Sequence, residues 1–569
     1  MNLKQPAIFV VLMSFVLQLS VLGGQEITSK LLEAADKRDA GAEIFDRALA
    51  GNNVADQRLA LLSLGRIGGK KATLKVFPSL YSKHVELRAM AAFALGISDD
   101  VEAHKPLALK LESETHSQVL IRLLTAIGRL GEPSNSISSI LPFLNHQDTE
   151  VVAASCDGLT QAWTFHPDRV SVPNSTIVTR LLELALSDEL VAEHCLFTLS
   201  RLRRQPALFD LELLAKVAGK VTETGSKLLA LRIMGAMNAP EYQDYFIEQL
   251  DAKNISAIRA EASTALALLS TASETKPEQT KLQRQQYLNA LNIAAADTAT
   301  QVRVSLVDYL DLSSADEKLI ALIEKLSHDP SQWVRERAIS SLFSVIPQKV
   351  RPEMLKMLNS DDFRSQQAAL NILRRNQDAE SEKLLKILAQ SKHKGIKSIA
   401  SRLIEDENPD SEVEVPAKLS ADVNIVLTNA SKKMRIKTNR GDVSIQLLPM
   451  AAYTSANFYQ LAIDGYYDGL AFHRVVPNFV VQGGDPEGTG QSGPGYSIRE
   501  ELSLLEHQRG SLGMATSGKD TGGSQFFFNN RNNIHLNNNY TVFAKIIDGL
   551  EIIDSFEVGD TVISITEIK

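Results

Sequence analysis

The stretch F-H-R-V-V-P-N-F-V-V-Q-G-G-D, Phe472 to Asp485, decides how this 569-residue chain is read. It places one arginine, Arg474, among apolar residues and ends on a glycine pair suited to a backbone turn. Three further blocks follow in order. They are G-S-L-G-M-A-T-S-G at Gly510 to Gly518, G-G-S-Q-F-F-F at Gly522 to Phe528, and H-L-N-N-N-Y-T-V-F at His535 to Phe543. Phe479, Val480 or Phe527 alone reads as ordinary core.

Upstream, the alternation in M-R-I-K-T-N-R-G-D-V-S-I-Q-L-L from Met434 predicts two strands joined by a turn at Asn439 to Gly441. Thr454 to Asp464 reads as a helix. E-D-E-N-P-D-S-E-V-E-V-P-A-K, Glu405 to Lys418, has the acidic and proline content of an extended linker. Before it, from about Ile27 to Ile404, one pattern recurs: a polar turn, then V/L-R or an equivalent, then a small-apolar helix. Gly65, Gly96, Gly128 and Gly158 mark the register at steps of 31, 32 and 30. Apolar residues at spacings of three and four give each helix one buried stripe, so the helices must stack on one another to cover it. The pattern is similar to short HEAT-like repeats and predicts an extended protein-binding surface or a pure scaffold. Trp163 and Trp333 read as packing residues of this array.

The formal charge of -8 and pI near 5.9 come with no dense basic stripe, which excludes nucleic acid as a partner class. Residues 1–24 carry Lys4, an apolar run from Ala7 to Leu22 and then Gly23-Gly24, the arrangement of a secretory signal peptide. Its rival is an uncleaved anchor, and membrane contact is expected only in that case. A bacterial periplasm is the first choice of compartment, with a membrane-anchored periplasmic form or a eukaryotic secretory route as alternatives. Cys156 and Cys195 are the only cysteines. They provide no disulfide framework, and a bridge between them is allowed but not required.

From about Met434 to Lys569 the four blocks resemble the cyclophilins, peptidyl-prolyl cis/trans isomerases built on a closed eight-stranded antiparallel β-barrel with flanking helices. The resemblance implies that Arg474 is the catalytic arginine and that Phe479, Val480, Phe527 and Leu536 hold the proline ring. It also implies polar substrate contacts at Gln482 and Gln525 and pairing with substrate backbone at Ala515 and Thr516. His535 stands where cytosolic relatives carry tryptophan, and Tyr540 where they carry histidine; both remain substrate-binding positions. The whole chain is thus expected to be multidomain: a signal peptide over 1–24, an all-α HEAT/ARM-like solenoid over 25–404, a linker over 405–431 and a cyclophilin-like domain over 432–569.

An X-Pro bond turns slowly because resonance makes its C–N bond partly double. Catalysis need only favour the twisted state, so no metal and no organic cofactor is required. Arginine suits the task because it stays charged and presents rigid N–H donors. The expected substrates are proline-containing polypeptides of the export pathway, with protein partners on the array. The alternative is a non-catalytic scaffold that only holds proline segments. Two phosphate-like motifs are discounted. G-T-G-Q-S-G at Gly488 is followed by Pro494-Gly495 where a helix should start, and G-M-A-T-S-G-K-D at Gly513 ends on Asp520, which would repel phosphate. His473 lacks a nucleophile or acidic partner at a telling spacing and reads as structural.

Overall fold

The computed structural model describes residues 25–131, 136–168, 173–269, 281–313, 315–375, 379–405, 416–417 and 423–569. The leader and most of the acidic linker therefore lie outside the described residues. No described helix is long and apolar enough to cross a membrane.

Helices beginning at 54, 85, 117, 149, 189, 224, 256, 300, 332, 363 and 394 form a continuous row, each packed on the next. The spaced glycines are where this row closes up. A Cβ on Gly65 would fall 2.7 Å from the Ala94 backbone, and one on Gly96 would fall 2.6 Å from the Ala126 methyl. Gly128 faces Gly158 in the same way. The missing side chains let neighbouring repeats approach to backbone contact, which explains the register visible in the sequence. Trp163 and Trp333 are both buried in this packing.

Cys156 and Cys195 form a disulfide between the Thr149–Phe165 and Glu189–Leu202 helices, with their Cα atoms 5.2 Å apart. Beside it, burial opposes the charge on His194, but the Asp157 carboxylate, 2.7 Å away, outweighs burial and pushes the histidine up to about 9. The bridge closes a separation of 39 residues. Cys156→Ser should therefore lower stability by about 3 to 4 kcal/mol through the entropy returned to the unfolded chain. Urea unfolding of the oxidised protein and the variant tests this, and coincident curves would refute it.

Eight strands follow: β1 Lys433–Thr438, β2 Gly441–Leu447, β3 Arg474–Val476, β4 Val480–Gly483, β5 Ser511–Met514, β6 Phe526–Asn529, β7 Val542–Asp548 and β8 Val562–Glu567. All ladders are antiparallel, in the order β3-β4-β6-β5-β7-β2-β1-β8. The predicted hairpin is β1–β2, with Thr438 opposite Gly441. The predicted helix runs over Ala452–Ile463 and lays Phe458 against Phe526 and Phe543.

The expected closed barrel is not formed as a continuous ladder. β3 and β8 are the sheet's two ends, and the chain ahead of each meets only at the bridge Ala471↔Thr561 and its flanking backbone bonds. β3 is only three residues long, so pairing at this seam falls on residues 469–472, outside it. A second difference lies in the span 405–431, read as extended linker. Val423–Asn429 is a short helix, because Val423 and Val426, three apart, both bury on the domain.

The array and the sheet domain are not beads on a string. Arg66 and Arg129 of the array donate to Leu502 and Asn538 carbonyls at 2.9 and 2.8 Å, Asn478 of the domain donates to the Ala257 carbonyl at 3.0 Å, and Thr300 donates to Glu557 at 2.8 Å. Helices from the first repeats to the last thus touch the same domain, and the array wraps it.

Candidate functional site

Strand register assembles the site. Arg474 on β3 pairs with Gln482 on β4, which pairs with Phe527 on β6, which pairs with Gly513 on β5. Directly opposed residues on neighbouring strands sit about 5 Å apart on one face, so one arginine, one amide and one phenyl ring form a row. In F-F-F at 526–528, alternation sends Phe526 and Phe528 into the main core and Phe527 to the other face. Gly513 closes the row because the Phe527 ring lies where its side chain would stand: a Cβ there would fall 2.7 Å from ring carbon Cε2.

On that face Val480, Phe527 and Leu536 form a small apolar cluster separate from the main core, with Phe479, Ala515 and Tyr540 packed against it. Val480, Phe527 and Leu536 are only 2, 5 and 7 % exposed, so little of the cluster meets water. The Arg474 guanidinium carbon stands 5.6 Å from the centre of the Phe479 ring. Its Nη1 donates to Gln482 at 3.2 Å, Gln482 donates to Gln525 at 3.0 Å, and Gln525 donates to the Ser492 carbonyl at 2.9 Å. This relay fixes the arginine's direction while its side chain stays open to solvent. The crowding walls pull the Arg474 pKa down and Tyr540 partly offsets them; a group that starts at 12.5 keeps its charge at neutral pH.

Thr516 lies apart from the apolar cluster. With Ala515, Gln482 and Gln525 it lines an adjoining cavity of about 940 Å³, whose far wall is Ser398, Ile399 and Arg402 of the array. His535 stacks on Phe479 at 5.5 Å on the rim and on Phe197 of the array at 5.3 Å. Burial first, then the nearby arginines, hold its pKa well below 6.5, so the ring is neutral.

Two groups of supporting residues escaped the sequence reading. His507 stacks on Phe527 at 5.6 Å and bonds the Tyr540 carbonyl at 3.1 Å; burial pushes it down to about 4. The asparagine run is a frame: Asn533 donates to the Phe479 carbonyl at 3.1 Å and to Asn529 at 2.7 Å, and Asn529 donates to the Ser511 carbonyl at 3.1 Å. A run of one amide type carries no hint that each member has a different partner. The discounted motifs stay discounted. Asp485 staples the Gly488 loop by accepting from the backbone of Glu487 at 2.8 Å and of Gly488 at 3.0 Å, and Asp520 is held by Arg38 and Arg499. His473 is kept neutral, chiefly by burial. Among the described residues no cluster of metal-ligating side chains occurs.

A family profile described as "Cyclophilin type peptidyl-prolyl cis-trans isomerase/CLD" matches residues 433–567, and one described as "HEAT repeats" matches 319–409. "Peptidyl-prolyl cis-trans isomerase B" of Bacillus subtilis is 51% identical over 121 residues, 21% of this chain and 85% of that protein. The chain belongs to the cyclophilin-type peptidyl-prolyl cis-trans isomerases. Two other members, each a "Peptidyl-prolyl cis-trans isomerase", are matched over the same region. That of Helicobacter pylori is 45% identical over 135 residues, 23% of this chain and 83% of that protein, and that of Synechococcus elongatus 43% over 133 residues, 23% and 92%. In all three the match falls short of a quarter of this chain, leaving the array outside it.

Proposed function

We propose that this cyclophilin catalyses isomerisation at the row Arg474–Gln482–Phe527, and that its array brings exported, proline-containing polypeptides to that row. The carrying observation is the guanidinium held over Phe479 at the edge of a buried apolar cluster. Val480, Phe527 and Leu536 seat the proline ring. As the bond twists, conjugation is lost and the prolyl nitrogen becomes an acceptor, toward which Arg474 donates. The donor is already oriented by Gln482 and Gln525, so the twisted state is favoured over either planar isomer without reorganisation. Gln482, Gln525, Ala515 and Thr516 hold the flanking backbone.

The disulfide supports an oxidising compartment, and the leader-like 1–24 supports export, with the periplasm first. Contacts from one end of the array to the other support a scaffold that frames the site. Phe527→Ala in the full chain tests the cup: a proline ring that loses this apolar wall gives up about 1.5 to 3 kcal/mol of burial, so kcat/KM for a proline peptide should fall roughly ten- to a hundredfold. Unchanged turnover, with circular dichroism showing an intact fold, would remove the ring from the site.

A further inference from the structure

Where the array meets the rim of the cup, positive charge accumulates without matching negative charge. Arg201 lies one helical turn after Phe197, on the same face of the Glu189–Leu202 helix, and Arg203 and Arg204 follow at its end. Arg531 of the sheet domain places its guanidinium 5.4 Å from the Phe197 ring and is only 5 % exposed, with Nη1 and Nη2 making no hydrogen bond. Arg232, from the next helix of the row, completes the group.

Two carboxylates face these five cations, and both are engaged. Glu261 accepts from Arg232 and, at 3.2 Å, from Asn478, the residue before Phe479. Glu193 accepts from Asn532 at 3.0 and 3.1 Å. Arg203 is satisfied locally, donating to the Ser200 carbonyl at 2.6 Å. Arg201 and Arg204 are exposed and lie within salt-bridge reach of no carboxylate among the described residues. Burial, then Arg203, Arg232 and Arg204, lower the Arg201 pKa, which fits a guanidinium among its own kind.

We propose that Arg201 and Arg204, backed by the buried charge of Arg531, form an anion subsite at the array edge of the cup that takes an acidic side chain of the client segment. The proposal rests on the cup being where the proline sits. Two ring spacings, 5.5 and 5.3 Å, separate the cup wall Phe479 from Phe197. An extended chain covers that span in about three residues at roughly 3.3 to 3.6 Å each. The arginine and acidic side chains span the further helical turn from Phe197 to Arg201, so the acidic residue is placed about three to four positions from the proline. A solitary isomerase domain would lack this preference, because Arg201 and Arg204 come from the array.

The test is kcat/KM of the full-length protein on terminally blocked peptides with glutamate, glutamine or lysine scanned two to four positions from the proline on either side. Glutamate should exceed glutamine roughly fivefold at one position at low salt, lysine should fall below it, and the spread should collapse near 1 M salt. In Arg201→Glu/Arg204→Glu the glutamate-to-glutamine ratio should drop to one or below. A ratio near one in the unaltered protein, or a ratio that survives charge reversal, overturns the proposal. An advantage gained only from a free C-terminal carboxylate on a neutral peptide also overturns it. A faulty cup assignment would show separately, as glutamine-peptide turnover that survives Arg474→Ala.

Discussion

Replacing Arg474 by alanine should lower kcat/KM for a proline peptide by about 10²- to 10³-fold, the usual effect of removing one preorganised donor from a transition state. Most of the loss should fall on kcat, because Val480, Phe527 and Leu536, which we propose seat the proline ring, are untouched. The fold should survive. Arg474 is exposed at the end strand of the sheet, its side chain donates to Gln482 at 3.2 Å, and its removal buries no charge. Arg474→Lys should recover little, since an ammonium keeps the charge but loses the planar fork that both reaches Gln482 and lies over the Phe479 ring. Turnover of the alanine variant within a few-fold of the unaltered protein, at intact near-ultraviolet circular dichroism, would move the chemistry to another group.

The cup was legible through the resemblance its four blocks carry, because the register that lines up Arg474, Gln482 and Phe527 joins strands some forty residues apart and no local period reveals it. The array was legible for a different reason: its glycines recur where backbones touch, so a packing requirement became a sequence period. What escaped has no period. Phe197 stacks on His535 and Arg66 reaches Leu502 across 436 positions, and nothing local separates those side chains from their neighbours. An arginine destined for a buried interface has the same spelling as one on a solvated face. The sequence therefore implied two parts joined by a linker, whereas the chain builds a domain enclosed by its array. His535 shows the cost of reading the parts separately: as a rim residue of an isolated domain it is only a departure from tryptophan, but between Phe479 and Phe197 it is the ring that joins the sheet domain to the array.

That enclosure depends on a buried ion pair, and breaking it from one side should be the most destabilising single change in the interface. Arg66, at the end of the Val54–Ile67 helix, is 5 % exposed and stands 3.7 Å from Glu501, which is 4 % exposed. Arg66 also donates to the Leu502 carbonyl at 2.9 Å and the Met450 carbonyl at 2.6 Å, while Glu501 accepts from the Thr454 amide at 2.7 Å and its hydroxyl at 2.8 Å. Arg66→Ala strips the cation and two carbonyl partners but leaves the carboxylate buried, so it should cost about 3 to 5 kcal/mol. The cost should depend on pH with a definite sign. Burial raises the Glu501 pKa and Arg66 opposes that rise, so the variant carries a still higher folded value than the unaltered protein. A carboxyl whose folded pKa lies above its unfolded one loses stability as pH rises from the unfolded value, near 4.5, through the folded value. The variant should therefore be closer to the unaltered protein at pH 5 than at pH 8. Adding Glu501→Gln should restore part of the loss at pH 8, since a neutral amide no longer needs a counter-charge and can still accept from Thr454. Urea unfolding at the two pH values, together with hydrogen exchange at Thr454, reads all three outcomes. A loss below about 1 kcal/mol, typical of an exposed pair, would mean that water reaches Glu501 and that the array is not sealed onto the domain there.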